Sequence, residues 1–137
     1  MKYLNAKAII FGCLADIAGT ALFSLVFGMM MTIRATMRGV DAETASRALI
    51  EWSSTVHGIA FSLFFGLFFT GFGGYIAARV AKNGMLLNSA FVGSMSILAG
   101  LLFMGGSPIM VTIISLALSI PIALLGGYLY TGSWKFH

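Results

Sequence analysis

The chain has 137 residues, of which 59% are hydrophobic and only 9% charged. A soluble globular domain carries about 25% charged residues, so this composition excludes one and leaves a single-domain polytopic membrane protein. The net charge of +4 then reads as topology information and as attraction to anionic headgroups, not as nucleic-acid binding.

Residues 1–7 form a basic lead carrying Lys2 and Lys7. The stretch 8–33, AIIFGCLADIAGTALFSLVFGMMMTI, is long enough for a helix to cross a bilayer. Ile10-Phe11-Gly12-Cys13 loosely resembles a lipoprotein cleavage box. Phe11 is bulky for that box and the run before Cys13 is too short for a signal h-region, so the helix is expected to stay uncleaved. Cys13 is the single cysteine, which excludes an internal disulfide and a cysteine metal cluster. Asp16 is the residue that stands out. A carboxylate at the bilayer midplane costs roughly 2.5–3.5 kcal/mol on insertion scales. Stepping by four through it gives Gly12, Asp16, Thr20, Ser24 and Gly28, a small and polar strip suited to helix contact.

The loop 34–56 contains DAETASRALIEW, read as a short amphipathic helix with Asp41 as its N-cap. Glu43, Arg47 and Glu51 fall four apart as mutually supporting ion pairs. Ala42, Ala45, Leu49 and Trp52 form the other face, and Trp52 stands where an aromatic-belt residue belongs.

The second membrane helix is predicted over about 57–78. Its steps of four are Gly58, Ser62, Gly66, Thr70, Gly74 and Ala78, a small-residue pattern along the whole span that marks a packing seam. Its phenylalanines are left to face lipid or fill the bundle. A basic turn, Arg79 to Asn83, leads to a third helix near 85–104 with Ser89, Gly93, Ser96 and Gly100 as its small face. After a turn at 105–108, Pro108 opens a fourth helix that runs to about residue 130, with Pro121 expected to kink it. Trp134 and Lys135 in the tail are interface residues. The second and fourth helices end in GFGGYIAAR and LLGGYLYTG, a faint internal repeat resting on one tripeptide. The expected fold is therefore an all-α, four-helix transmembrane bundle with a short extracytoplasmic helix between its first two spans.

Lys2, Lys7, Arg79, Lys82 and Lys135 share one side of the membrane, against Arg34, Arg38 and Arg47 on the other. The excess puts both termini and the middle turn on the cytoplasmic side. Asp16 lies about 13 Å into the core by helix rise, and its predicted neighbours are Thr20, Thr70, Tyr75 and Asn88. Two readings follow for Asp16: a proton or cation site, or a hydrogen-bonded residue that pins helices together. Gly12, Gly58, Gly66, Gly74, Gly93 and Gly100 are the predicted packing glycines. His57, at the outer end of its helix, is too far from Asp16 to form a catalytic pair. Met29, Met30 and Met31 point in different helical directions and cannot all ligate a metal. No nucleotide-binding, metalloprotease or nucleophile signature is present, so no enzyme, metal or cofactor is expected.

The segment CLADIAGTAL resembles the first helix of small multidrug resistance transporters. Ala15-Asp16-Ile17-Ala18-Gly19-Thr20 matches their A-E-x-x-G-T element with Asp in place of Glu. That resemblance implies proton-coupled export of a cation with Asp16 as the coupling group. The long loop after the first helix and the lack of a tryptophan in the third depart from that family. More broadly, DIAGT, GGYIAARVAK and LLNSAFVGSMS are similar to uncharacterised small four-helix bacterial membrane proteins, which implies architecture and no activity. The expectation taken forward is a non-enzymatic integral membrane protein, partnered by the lipid bilayer. It acts as a self-associating or accessory subunit of a membrane assembly, with proton-coupled transport through Asp16 as the alternative.

Overall fold

The computed structural model describes residues 3–103 and 109–133. They form α1 (Ala6–Thr36), α2 (Ala42–Ser53), α3 (Val56–Val80), α4 (Met85–Phe103) and α5 (Ile109–Ser133), with no strand among the described residues. The chain is all-α, and α1, α3, α4 and α5 are each long and apolar enough to cross a membrane. The predicted turn at 105–108 with Pro108, together with Lys2, Met104, Trp134 and Lys135, lies outside the described residues.

Helix α1 starts earlier and ends later than its apolar stretch. Asn5 caps it, its side chain accepting from the backbone N–H groups of Lys7 and Ala8, which satisfies donors the first turn leaves open. Apolarity stops near Ile33, but nothing there breaks a helix, so α1 continues to Thr36. Gly39, with φ +83°, then reverses the chain in a conformation glycine adopts without strain. Helix α2 begins at the predicted cap: Asp41 accepts from the Thr44 N–H at 2.9 Å. Arg47 pairs with Glu43 at 2.6 Å. The expected second pair to Glu51 is not formed among the described residues, so the charged face holds one exposed ion pair and no network. Helix α5 runs unbroken through Pro121, whose ring faces outward.

Three of the six phenylalanines of α3 turn toward α1. Phe65 stacks on Phe23 at 3.9 Å between centroids, and Phe61 meets Phe27 at 4.8 Å. Phe69 also reaches Phe23. Phe64, Phe68 and Phe72 are exposed, toward the lipid of a bilayer. Trp52 joins this column, 5.6 Å from both Phe27 and Phe61. It fastens α2 to the first two spans.

Helix α3 is the centre of the arrangement. It touches the other four helices, whereas α1 and α5 make no contact with each other. At the end bearing the α3–α4 turn, here the turn end, the helices close on glycine. A Cβ on Gly12 would lie 2.6 Å from Val92 Cγ2 and 2.7 Å from the Gly73 carbonyl oxygen. Gly74 faces the backbone of Ala123, Gly126 faces the Gly71 carbonyl, and Gly93 faces Ser119 and Ile120. Gly58 sits beneath the Trp52 carbonyl, where α2 turns into α3. Real side chains there would push backbones apart, which is why small residues are needed.

Two predicted packing glycines behave differently. A Cβ on Gly66 or on Gly100 would meet nothing within 4 Å. The reason is geometric. Each residue turns an α-helix by roughly 100°, so a step of four drifts by roughly 40°. Over the two steps from Gly58 to Gly66, and again to Gly74, the strip swings far around α3. Gly58 faces α2, Gly66 faces open space and Gly74 faces α5. The seam read as one interface is three surfaces.

Candidate functional site

Asp16 stands on α1 just past the closed turn end, and only 6% of it is exposed. Thr70 of α3 places its hydroxyl 3.3 and 3.2 Å from the two carboxyl oxygens. The Ser96 hydroxyl of α4 donates to Asp16 Oδ2. Each hydroxyl also has a second acceptor on its own helix: Thr70 Oγ1 lies 3.1 Å from the Gly66 carbonyl oxygen, and Ser96 Oγ lies 3.0 Å from that of Val92. A hydroxyl carries one proton and donates to one acceptor at a time. With Asp16 ionised, both hydroxyls can donate to it. With Asp16 protonated, its own O–H can donate to one of them, and that hydroxyl turns to its helix carbonyl. Either protonation state is satisfied by the same three side chains. Among the described residues no basic group pairs with Asp16; the ion pair formed there is Glu43–Arg47.

Above Asp16, toward the α2 end, a cavity of about 670 Å³ opens between α1, α3, α4 and α5. That volume falls in the range of small-molecule sites. Ile17, Leu63, Leu67 and Val111 give it aliphatic walls. Thr20, Ser62, Ser115 and Ser119 dot those walls with hydroxyls, and Ser53 lies on its rim near α2. Asp16, Thr70 and Ser96 form its floor. Below the floor, Val92 is wedged between Gly12 and Gly73 and is fully buried. The cavity thus lies on the α2 side of the carboxyl, and the bundle is closed beneath it on the turn side.

The sequence-predicted neighbours divide. Thr70 bonds Asp16 and Thr20 lines the cavity, while Tyr75 and Asn88 are elsewhere. Tyr75 packs edge-on against Tyr130 at 5.5 Å and does not line the cavity. Asn88 is fully buried at the turn end. It accepts from the Asn5 N–H at 2.8 Å and donates toward the Tyr3 and Gly84 carbonyls at 2.9 and 2.8 Å. That pairing explains the error of depth. Since Asn5 and Asn88 stand at the same level, Asp16, eleven residues on, lies level with the middle of α4 and not with its start. Ser96 is the partner at that depth, and counting from a common end would have found it.

Of the predicted packing glycines, Gly12, Gly58, Gly74 and Gly93 are at close approaches, whereas Gly66 and Gly100 line the cavity. Gly71, Gly73 and Gly126 are close approaches the four-residue steps passed over. For Gly71 and Gly126 the signal was the similarity of GFGGY and LLGGY, since those two segments pack on each other, whereas Gly73 packs on Gly12 of α1. His57 is exposed and lies off the cavity lining. Met29, Met30, Met31, Met37 and Met110 are exposed. Among the described residues no group of three His, Cys, Asp or Glu could hold a metal ion.

No family model matches the chain, and neither a curated protein nor a solved structure matches it.

Proposed function

We propose that this chain is a small, non-enzymatic carrier of the bacterial inner membrane, with both termini cytoplasmic. In it Asp16 binds a proton in exchange for a small molecule or cation. One observation carries the reading. Asp16 floors a cavity and is held by two hydroxyls, each with a second acceptor, Gly66 and Val92. A proton can therefore come and go without leaving a buried group unsatisfied, the usual cost of titrating inside a fold. The same bond to the carbonyl four residues back is made by Ser89, Ser94 and Ser119, so what sets Asp16 apart from a carboxyl that only pins helices is the cavity above it. The resemblance of Ala15–Thr20 to the small multidrug resistance element points the same way.

The accessory-subunit reading keeps one observation in its favour. Helix α1 packs on α2, α3 and α4 only, and Phe11, Leu14, Leu22 and Leu25 are exposed along it, a surface open to lipid or to a second copy. The discriminating experiment is proton release from purified protein on adding hydrophobic cations, wild type against Asp16→Asn. An amide can donate a hydrogen bond but cannot release a proton. Release that disappears in Asp16→Asn supports the carrier. Equal behaviour of a folded Asp16→Asn, or no release from either, rejects it and leaves the subunit reading.

A further inference from the structure

A second pocket lies at the turn end, far from Asp16, and depends on none of the reasoning about it. It measures about 320 Å³ and is lined by Tyr3, Leu4, Asn5, Val80, Lys82 and Asn83. Its two walls are the N-terminal lead and the α3–α4 turn. Asn88 ties them together through the Asn5 N–H and the Tyr3 carbonyl. Gly84, at φ +64°, lets the turn pass directly against Tyr3, where a side chain would collide.

Lys82, exposed, is the charged residue of the pocket's lining, and no acidic residue lines it among the described residues. Lys7 and Arg79, each next in sequence to a lining residue (Ala6 and Val80), are exposed at the same end. The chain has four acidic residues. Asp16 is in the bundle core, and Asp41, Glu43 and Glu51 are at the opposite end in and beside α2. Among the described residues no ion pair forms at the turn end. The pocket also sits where three apolar spans end, the level at which lipid phosphates lie. Basic pockets between membrane helices hold anionic headgroups by direct charge and hydrogen bonding. A lysine carries a positive charge and N–H donors for phosphate oxygens, and Asn83 and Tyr3 add polar groups on either side.

We propose that this pocket binds a phosphate group, supplied by the headgroup of an anionic phospholipid, with Lys82 as the principal contact. The bound lipid would brace the lead against the turn and so stabilise the closed end of the bundle.

The test uses the full chain in neutral detergent, melted with added phosphatidylglycerol, phosphatidylcholine or inorganic phosphate at fixed ionic strength. Lys82→Gln is compared with Arg38→Gln, which removes the same charge at the opposite end. Phosphatidylglycerol should raise the melting temperature of the wild type and phosphatidylcholine should not. Lys82→Gln should weaken the phosphatidylglycerol response about fivefold, the fold-change for roughly 1 kcal/mol per lysine near an anionic surface, and Arg38→Gln should leave it unchanged. Inorganic phosphate without effect assigns the site to lipid; inorganic phosphate that displaces phosphatidylglycerol overturns the lipid source and leaves a site for soluble phosphate. Equal losses in Lys82→Gln and Arg38→Gln, or equal stabilisation by phosphatidylcholine, overturn the site altogether.

Discussion

Gly66 and Gly74 sit eight residues apart on α3, read identically in the sequence, and should respond oppositely to the same substitution. A methyl added at Gly74 would lie 2.8 Å from both the Cα and the carbonyl carbon of Ala123 and would overlap its carbonyl oxygen. Ordinary contact begins near 3.4 Å, so α3 and α5 must separate by at least about 0.6 Å. Both surfaces are helix backbone, which no rotamer change relieves. Overpacking of this kind costs about 1–3 kcal/mol, and a backbone-on-backbone clash belongs toward the upper end. A methyl at Gly66 meets nothing within 4 Å. Both substitutions gain the same helix propensity, up to about 1 kcal/mol for alanine over glycine. That term cancels in the comparison, and the difference between the two variants isolates the contact. Gly66→Ala should be neutral or stabilising, and Gly74→Ala should be less stable than it by about 1–3 kcal/mol. The assay is reversible unfolding of both proteins in mixed detergent micelles, monitored by tryptophan fluorescence. Equal shifts in the same direction would refute the assignment of Gly74, and not Gly66, to the helix interface.

Gly66→Leu should fold but fill the cavity next to Asp16, so proton release on adding hydrophobic cations should fall without a matching loss of stability. Thr70→Val keeps the volume of the side chain and removes one donor to the carboxyl. The lost donor served the carboxylate that forms on release, so that state should be weakened by about 1.5–3 kcal/mol, read as a shift in the pH at which that release is half complete. Asn88→Ala removes the side-chain partner of the part-buried Asn5 N–H and Tyr3 carbonyl, while the Gly84 carbonyl keeps the Asn88 backbone N–H; the penalty is about 1–3 kcal/mol, and hydrogen exchange should speed at Asn5 while α3 is spared. The carboxyl of Asp41 is held below its ordinary value by hydrogen bonding from the Thr44 side chain and backbone. A depressed folded value means the cap is fully present above the unfolded value of about 3.9 and is lost as pH falls through the lower folded value. Amide exchange in α2 should therefore accelerate below about pH 4, and Asp41→Asn should remove that dependence.

The sequence exposed what a single helix can reveal and hid what depends on two. Helix existence, the Asp41 cap and the Asp16–Thr70 pairing were legible, because apolar length, cap chemistry and approximate depth are local properties. The direction each glycine faces was not, since that depends on how the drift of a small strip meets a partner whose rotation the sequence does not state. Ser96 was missed for a related reason. Its depth is set by the Asn5–Asn88 bond, a contact between residues 83 apart, which shifts α4 relative to the naive start of the span. Trp52 and the inner phenylalanines illustrate the same limit: aromatic rings suit both an interface belt and a stacked column, and only the crossing of α1, α2 and α3 decides between them.

The two ends of the bundle are held by different chemistry, and this bears on how Asp16 could serve both faces of a membrane. The α1–α3 pair is joined along much of its length, by the aromatic column at one end and by Gly12 against Gly73 at the other. The α4–α5 pair is joined through Gly93 against Ser119 and Ile120. Across these pairs α3 packs most extensively on α5, with close approaches at the turn end of Gly74 on Ala123, Gly126 on Gly71 and Val92 between Gly12 and Gly73. Across the cavity, Gly66 and Gly100 line the wall with no side chain to lock it. The cavity side has small residues that could close onto one another, and the sealed side is held by close backbone contact without an ion pair among the described residues. Val92 is then the residue whose displacement would connect Asp16 to the turn end. In a Cys13→Ser background, Val92→Ala should admit a thiol reagent added from that end to a cysteine in place of Ser96, in the absence of any ligand. Continued protection of that cysteine would show that the seal is made by the helix backbones themselves and does not depend on the valine.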